Sequence, residues 1–123
     1  SMSESIVVET FGPEHFADAI DVWREAGMAH EENLEQRLNE LLKGNPGLSV
    51  AARIDGGFVG AVLASYNGFT GYIFRLAVAP LKRRAGVGRA LMREAEQRLA
   101  AAGATKVMLV CEEELLRYCE RQG

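Results

Sequence analysis

The chain has 123 residues, 48% hydrophobic and 25% charged, which suits a single soluble domain with one core. Its 14 basic and 17 acidic side chains leave a net charge of -3, which excludes a general nucleic-acid binder, because such proteins carry a basic surplus for the phosphate backbone. No apolar run has the length of a membrane span and the first residues lack a signal-peptide pattern, so no membrane partner is expected and the cytoplasm is the expected location. Cys111 and Cys119 make no disulfide framework, and no metal-ligand spacing occurs. Ser1 before Met2 reads as a tag remnant and start methionine, leaving one domain over residues 3–123.

Ser5 to Thr10 is short and β-branched, and reads as a first strand. Gly12-Pro13 breaks it and opens a helix, in which Phe16, Ala19, Ile20 and Trp23 recur at helical spacing. Glu31 and Glu32 are expected to open a second helix with the stripe Leu34, Leu38, Leu41, Leu42, stopped by Gly44-Asn45-Pro46-Gly47. Leu48 to Ile54 alternates as a strand, Asp55-Gly56-Gly57 is a hairpin turn, and Phe58 to Tyr66 is the return strand. After Asn67-Gly68, Tyr72 to Val78 is nearly continuous in apolar character and reads as central, ended by Pro80.

A strong helix is expected from about Gly86 to Ala102, with Val87, Leu91, Ala95 and Leu99 on one face and a Glu94–Arg98 pair on another. Gly103 suits the position past its end. Lys106 to Val110 reads as a buried strand, and Glu112 to Arg121 as a final helix. The order is β-α-α-β-β-β-α-β-α: a mixed α/β sheet with helices on its faces, in which the crossover sets Lys106–Val110 parallel to Tyr72–Val78.

The loop after the central strand carries the chemistry. Lys82, Arg83 and Arg84 are the densest basic cluster, followed by Gly86 and Gly88 at a helix start. Free amides of a first helical turn form an anion site, glycine lets a phosphate approach closely, and arginines add attraction. A pyrophosphate suits such a site. The Walker pattern is absent because no Lys-Ser or Lys-Thr follows the second glycine, and the dinucleotide fingerprint fails because Leu91 stands where its third glycine belongs. Without further support the glycines could equally serve tight helix–strand packing, with solvated arginines.

The segment R-L-A-V-A-P-L-K-R-R-A-G-V-G-R-A-L-M resembles the acetyl-CoA motif of the GNAT superfamily of N-acetyltransferases, whose Gln/Arg-x-x-Gly-x-Gly/Ala pattern is met by Arg83, Gly86 and Gly88. The flanking strand, the long helix ending A-A-G-A-T-K and the strand K-V-M-L-V fit the same family. The resemblance implies the GNAT-like acyl-CoA N-acyltransferase fold, with acetyl-CoA as co-substrate and a primary amine as acceptor. Backbone groups of Leu76, Ala77 and Val78 would pair with the pantetheine arm, in a gap where the strands at Val78 and Lys106 splay apart. Amides from Arg84 through Arg89 (Arg84, Ala85, Gly86, Val87, Gly88, Arg89) would hold the pyrophosphate, and a backbone N–H near Val78 would serve the oxyanion.

The chain departs from the family at its end. The last segment resembles x-Tyr-Glu-x-x-Gly-Phe, whose tyrosine protonates the leaving thiolate in many relatives, yet the alignment puts Cys119 rather than Tyr118 at that position. The family usually continues with two more strands, so either the sequence is a fragment or those strands were lost; if it is the whole protein, an exposed edge at Lys106–Val110 and a homodimer are expected. The departures keep open a catalytically weak acyl-CoA-binding module acting as a sensor or partner protein, and a nucleotide-phosphate binder is a third reading. His15 and His30 read as surface or capping residues, Trp23 as core, Cys111 as a small buried residue, Glu112-Glu113-Glu114 as a solvated helix start, and Arg75 as a salt-bridge partner near the acceptor site. The two helices before the hairpin should wall the acceptor site.

Overall fold

The computed structural model describes residues 5–28, 31–83 and 85–111. Strand β1 (Ile6–Thr10) leads through a short 3-10 turn (Pro13–His15) into α1 (Phe16–Glu25), and α2 (Leu34–Gly44) follows. Strands β2 (Val50–Ile54), β3 (Gly57–Tyr66) and β4 (Thr70–Val78) form a meander; a second 3-10 turn (Pro80–Lys82) precedes α3 (Val87–Ala102) and β5 (Lys106–Leu109). The expected final helix, with Glu112-Glu113-Glu114, Tyr118 and Cys119, lies outside the described residues, as do His30 and Arg84.

The strands lie in sequence order, antiparallel from β1 to β4, and β5 joins β4 in parallel as the crossover rule requires. One apolar layer, including Val62, Ile73, Leu76, Val87, Leu91 and Leu99, fills the space between the sheet and α3. The other, including Phe16, Trp23, Leu38, Leu63 and Ala77, lies under α1 and α2. Asp55 and Gly56 both take positive φ (51° and 79°), the geometry a tight hairpin turn demands.

Two glycines let α3 sit close to the sheet. A Cβ on Gly60 would stand 2.9 Å from the Ala77 carbonyl oxygen and 3.2–3.3 Å from Leu91 and Val87, in the first turns of α3. A Cβ on Gly71 would stand 3.0 Å from the Leu99 methyls, in its last turn. The Glu94–Arg98 pair forms at 2.8 Å, and the same guanidinium donates to Thr10 Oγ1 at 2.7 Å and the Gly47 carbonyl at 3.0 Å, clamping α3 to β1 and the turn before β2.

Four expectations need correction. Helix α2 begins at Leu34 rather than at Glu31 and Glu32, because Asn33 ahead of it takes the left-handed conformation (φ 57°), and Glu31 instead turns to Arg75. The Lys106 strand is exposed rather than buried: it is the last strand of the sheet among the described residues, with Met108 45% accessible. His15 does cap locally, accepting from the Gly12 amide at 2.9 Å, but it is buried, and its Nε2 lies 2.6 Å from Glu9. Cys111 is half-buried and disulfide-bonded, not a simple buried thiol.

Candidate active site

The site begins with a break in β4. The ladder pairs Ala61 with Ala77 and Leu63 with Phe74, so Val62 faces two residues, Arg75 and Leu76. This is a β-bulge, and Arg75 meets it with a left-handed backbone, φ 54°, which a non-glycine residue adopts only when its surroundings enforce it. Three contacts do so. The Trp23 indole N–H donates to the Arg75 carbonyl at 2.7 Å, the Arg75 guanidinium lies 5.1 Å from the Trp23 ring, and it donates to Glu31 at 3.2 Å. Arg75 is therefore a salt-bridge partner, as its sequence position suggests, and Trp23 is core with a polar task.

The bulge resets which way the following backbone faces. Beyond it, Leu76 and Val78 pack with α3 and Ala77 packs with α1. The Ala79 amide donates to Val59 on β3, so by strand alternation the amides of Val78 and Leu76 turn to the opposite side. There β5 offers no partner. Its pairing with β4 ends at Ile73–Leu109, with one further bond from the Val110 amide to the Ile73 carbonyl at 2.8 Å. Among the described residues, Phe74 to Val78 have no strand on that side.

Beside the gap stands the start of α3. Gly86 caps it with a left-handed backbone, φ 88°, and makes no side-chain cap hydrogen bond. The amides of Val87, Gly88 and Arg89 precede the first intrahelical bond and have no intrahelical acceptor. The first turn holds no acidic residue and carries Arg89, so no side chain of the turn itself offsets the positive end of the helix dipole. The chain reaches this point through a tight path, with the Lys82 amide donating to Ala79 and the Ala85 amide to Lys82. Arg83 turns back and donates from Nε to the Val78 carbonyl at 3.4 Å, on the open side of β4. Of the residues singled out in the sequence, Leu76 and Val78 lie on the open stretch of β4, Arg83 bonds to it, and Ala85, Gly86, Val87, Gly88 and Arg89 form the approach to α3 and its first turn, while Ala77 packs on the α1 side.

On the other face, a cleft of about 320 Å³ opens beneath α2. Leu34, Leu38, Leu41, Leu63, Phe74 and Val110 line it, with Glu31, Arg37 and Arg75 as its charged groups. Helix α2 supplies the wall expected of it; α1 contributes from behind, by fixing Arg75 through Trp23. Arg37 and the bulge were missed in the sequence. The lone arginine inside the apolar run Y-I-F-R-L-A-V is the signal that could have marked the bulge.

A separate polar group, with His15 buried and Glu9 and Arg53 half-exposed, lies at the start of α1. Glu9 accepts from His15 at 2.6 Å and from Arg53 at 2.9 Å, and these hydrogen bonds, His15 first, hold its carboxyl below the usual carboxylate range. Because His15 Nδ1 accepts from Gly12, its proton sits on Nε2 toward Glu9. This group ties β1 and β2 to the start of α1 and does not face the groove or the cleft.

Comparisons with known proteins agree with this geometry. A family model described as the acetyltransferase (GNAT) family matches residues 10–123. An acetyltransferase of Photorhabdus laumondii is 28% identical over 122 residues, covering 93% of this chain and 82% of its own. A GCN5-related N-acetyltransferase from Kribbella flavida superposes with a TM-score of 0.76 at 17% identity, over 96% of this chain and 32% of that one. N-acetylglutamate synthase from Neisseria gonorrhoeae, solved with coenzyme A and N-acetyl-glutamate, gives 0.73 at 17% identity over 95% of this chain and 28% of that one. The chain spans less than half the length of these two solved neighbours, and at such identity they show the fold alone.

Proposed function

The chain belongs to the acetyltransferase (GNAT) family, and we propose that it moves an acetyl group by direct transfer from acetyl-coenzyme A to a primary amine. One juxtaposition carries this reading: a helix start with no acidic residue in its first turn, beside a strand whose outer backbone groups lack a partner strand among the described residues. The first suits a pyrophosphate. The second suits the amides of a pantetheine arm, which would complete the ladder as an added strand does. The coenzyme A held by the N-acetylglutamate synthase neighbour is in keeping with this. Leu76, Ala77 and Val78 would then carry the arm, and the first-turn amides with Arg84 and Arg89 the pyrophosphate. Arg83 would yield the Val78 carbonyl to the arm.

The acetyl end would lie beyond the last β4–β5 pair, at the inner end of the cleft. The amine reaches it there after losing a proton to solvent. Its nitrogen attacks the thioester carbonyl carbon, the C–N bond forms, the nitrogen gives up its second proton to solvent, and the C–S bond breaks as the thiolate leaves. A β4 amide near Val78 stabilises the oxyanion. Cys119 as a reduced thiol, or Tyr118 beside it, is the proposed proton donor to the thiolate. The products are an N-acetyl amide and coenzyme A as its thiol. Self-association through the exposed edge of β5 belongs to the same proposal, and light scattering at high concentration reads it.

The test combines two measurements. Acetyl-CoA should raise the melting temperature, since a ligand that binds only the folded state stabilises it. Thiol release against a panel of amines should then show turnover. No shift with acetyl-CoA at millimolar concentration would refute the reading.

A further inference from the structure

Resting on that reading, we infer that Trp23 is a positioning residue for the cofactor. Its indole N–H holds the Arg75 carbonyl. Through that one peptide it sets the direction in which the backbone groups of Leu76 and Val78 meet the pantetheine arm. Trp23 belongs to α1 and acts through Arg75, not by contact with the ligand.

The indole is itself firmly placed. Trp23 is buried, its ring lies 6.1 Å from the Phe11 ring, and its own carbonyl accepts from the Met28 amide at 3.0 Å. An indole has one donor, the ring N–H, and a buried one needs an acceptor. Here the acceptor is a carbonyl 52 positions away, at 2.7 Å. The residue that owns that carbonyl is the one in β4 that departs from strand geometry. Arg75 stands in the bulge opposite Val62 with φ 54°, where a non-glycine residue is strained.

The Arg75 carbonyl and the Leu76 amide belong to one planar peptide unit and point in opposite directions, so fixing the one fixes the other. Past the bulge the chain alternates with Leu76 and Val78 toward α3 and Ala77 toward α1. If Arg75 relaxed to ordinary strand geometry, the extra residue of the bulge would be taken up and that alternation would shift by one. The backbone groups now on the open side of β4 would then turn toward β3, and the arm would meet the wrong set. The Trp23 bond opposes that relaxation at the residue where it would begin.

Calorimetry with coenzyme A and with ADP tests this, because ADP carries a pyrophosphate and no pantetheine arm. Trp23→Phe keeps an aromatic ring and removes the N–H. It should weaken coenzyme A by about fivefold to thirtyfold, the cost of one left-handed non-glycine residue written as an affinity ratio. ADP affinity should stay within about twofold, since the substitution is remote from the start of α3. Arg75→Gly alone should keep coenzyme A affinity within about threefold of the parent, as glycine takes the left-handed conformation without strain. Added to Trp23→Phe, it should return most of the lost affinity. A merely structural Trp23 would lower Tm without separating the two ligands, and Arg75→Gly would not cure its loss. Trp23 is the one tryptophan of the chain, so benzothienylalanine can replace it, with sulfur for the ring N–H and the same shape. That protein carries the comparison if Trp23→Phe does not melt cooperatively. Coenzyme A affinity unchanged within about twofold, equal weakening of both ligands, or a loss that Arg75→Gly does not relieve would overturn the inference. A parent protein that binds neither coenzyme A nor ADP would instead count against the acetyl-CoA reading.

Discussion

Replacing Gly60 by alanine tests whether the seat of α3 on the sheet sets the cofactor groove. The added methyl would stand 2.9 Å from the Ala77 carbonyl oxygen, a backbone atom that no rotamer change can move aside, and 3.2–3.3 Å from Leu91 and Val87. Overpacking of this kind costs about 1–3 kcal/mol. The stiffer unfolded chain offsets about 0.4–1 kcal/mol. The net cost is about 1.3 kcal/mol at the centre of those ranges, which for a domain of this size lowers Tm by about 4–8 °C. Gly71→Ala is the matched control: its methyl meets only the Leu99 side chain, which can shift, and it does so at the far end of α3. The strain at Gly60 falls on Val87, within the first turn that carries the proposed phosphate donors. Gly60→Ala should therefore weaken acetyl-CoA binding several-fold in calorimetry, while Gly71→Ala leaves the affinity within about twofold, since shifts at distant sites act independently. A Gly60→Ala protein with unchanged Tm and unchanged affinity would refute the close-packing argument.

Trp23→Phe keeps a ring but removes the donor to the Arg75 carbonyl, and should cost about 1–3 kcal/mol in urea unfolding as that carbonyl loses its partner; a cost under about 0.5 kcal/mol would show that the bulge is held by other means. Glu9, whose folded pKa is lowered chiefly by the His15 hydrogen bond, adds stability that is fully present above its unfolded pKa of about 4.3 and fades as pH falls through the lower folded value. Urea midpoints from about pH 6 down to about pH 3 should fall less steeply for Glu9→Gln than for the parent. If Cys119 protonates the leaving thiolate, Cys119→Ala, assayed with reductant present, should lower kcat without weakening acetyl-CoA binding, and Cys119→Tyr should restore it; an unchanged rate in the alanine protein excludes that role.

Much of this fold can be read from residue order. Hairpin signals at Asp55-Gly56-Gly57 and Asn67-Gly68, and the four-residue spacing from Val87 to Leu99, are local patterns, and the structure places them as local patterns demand. The groove is legible for the same reason, since its parts follow one another along the chain from Leu76 to Arg89. The cleft is not, because its parts come from distant segments. Arg75 meets Glu31 across 44 positions and Trp23 across 52, and no spacing rule connects them. Two errors have local causes that tertiary contacts override. Acidic Glu31 and Glu32 look like a helix start, but Asn33 adopts the left-handed conformation and Arg75 draws Glu31 away. His15 looks like a surface residue until Glu9 and Gly12 satisfy both ring nitrogens, which lets it be buried.

The central claim is that the first turn of α3 binds the pyrophosphate of acetyl-CoA, and charge reversal in that turn tests it most directly. Two variants are compared by the Tm shift with acetyl-CoA: Gly88→Glu, at a buried position, and Arg89→Glu, at an exposed one where folding is spared. The parent should gain about 2.7 kcal/mol of stability at a hundredfold excess of ligand over Kd. Both variants, shown folded by a cooperative melt without ligand, should lose most of that gain, because a carboxylate then faces the phosphates at the helix start. A full acetyl-CoA shift in folded Arg89→Glu and Gly88→Glu proteins would contradict the placement of the cofactor.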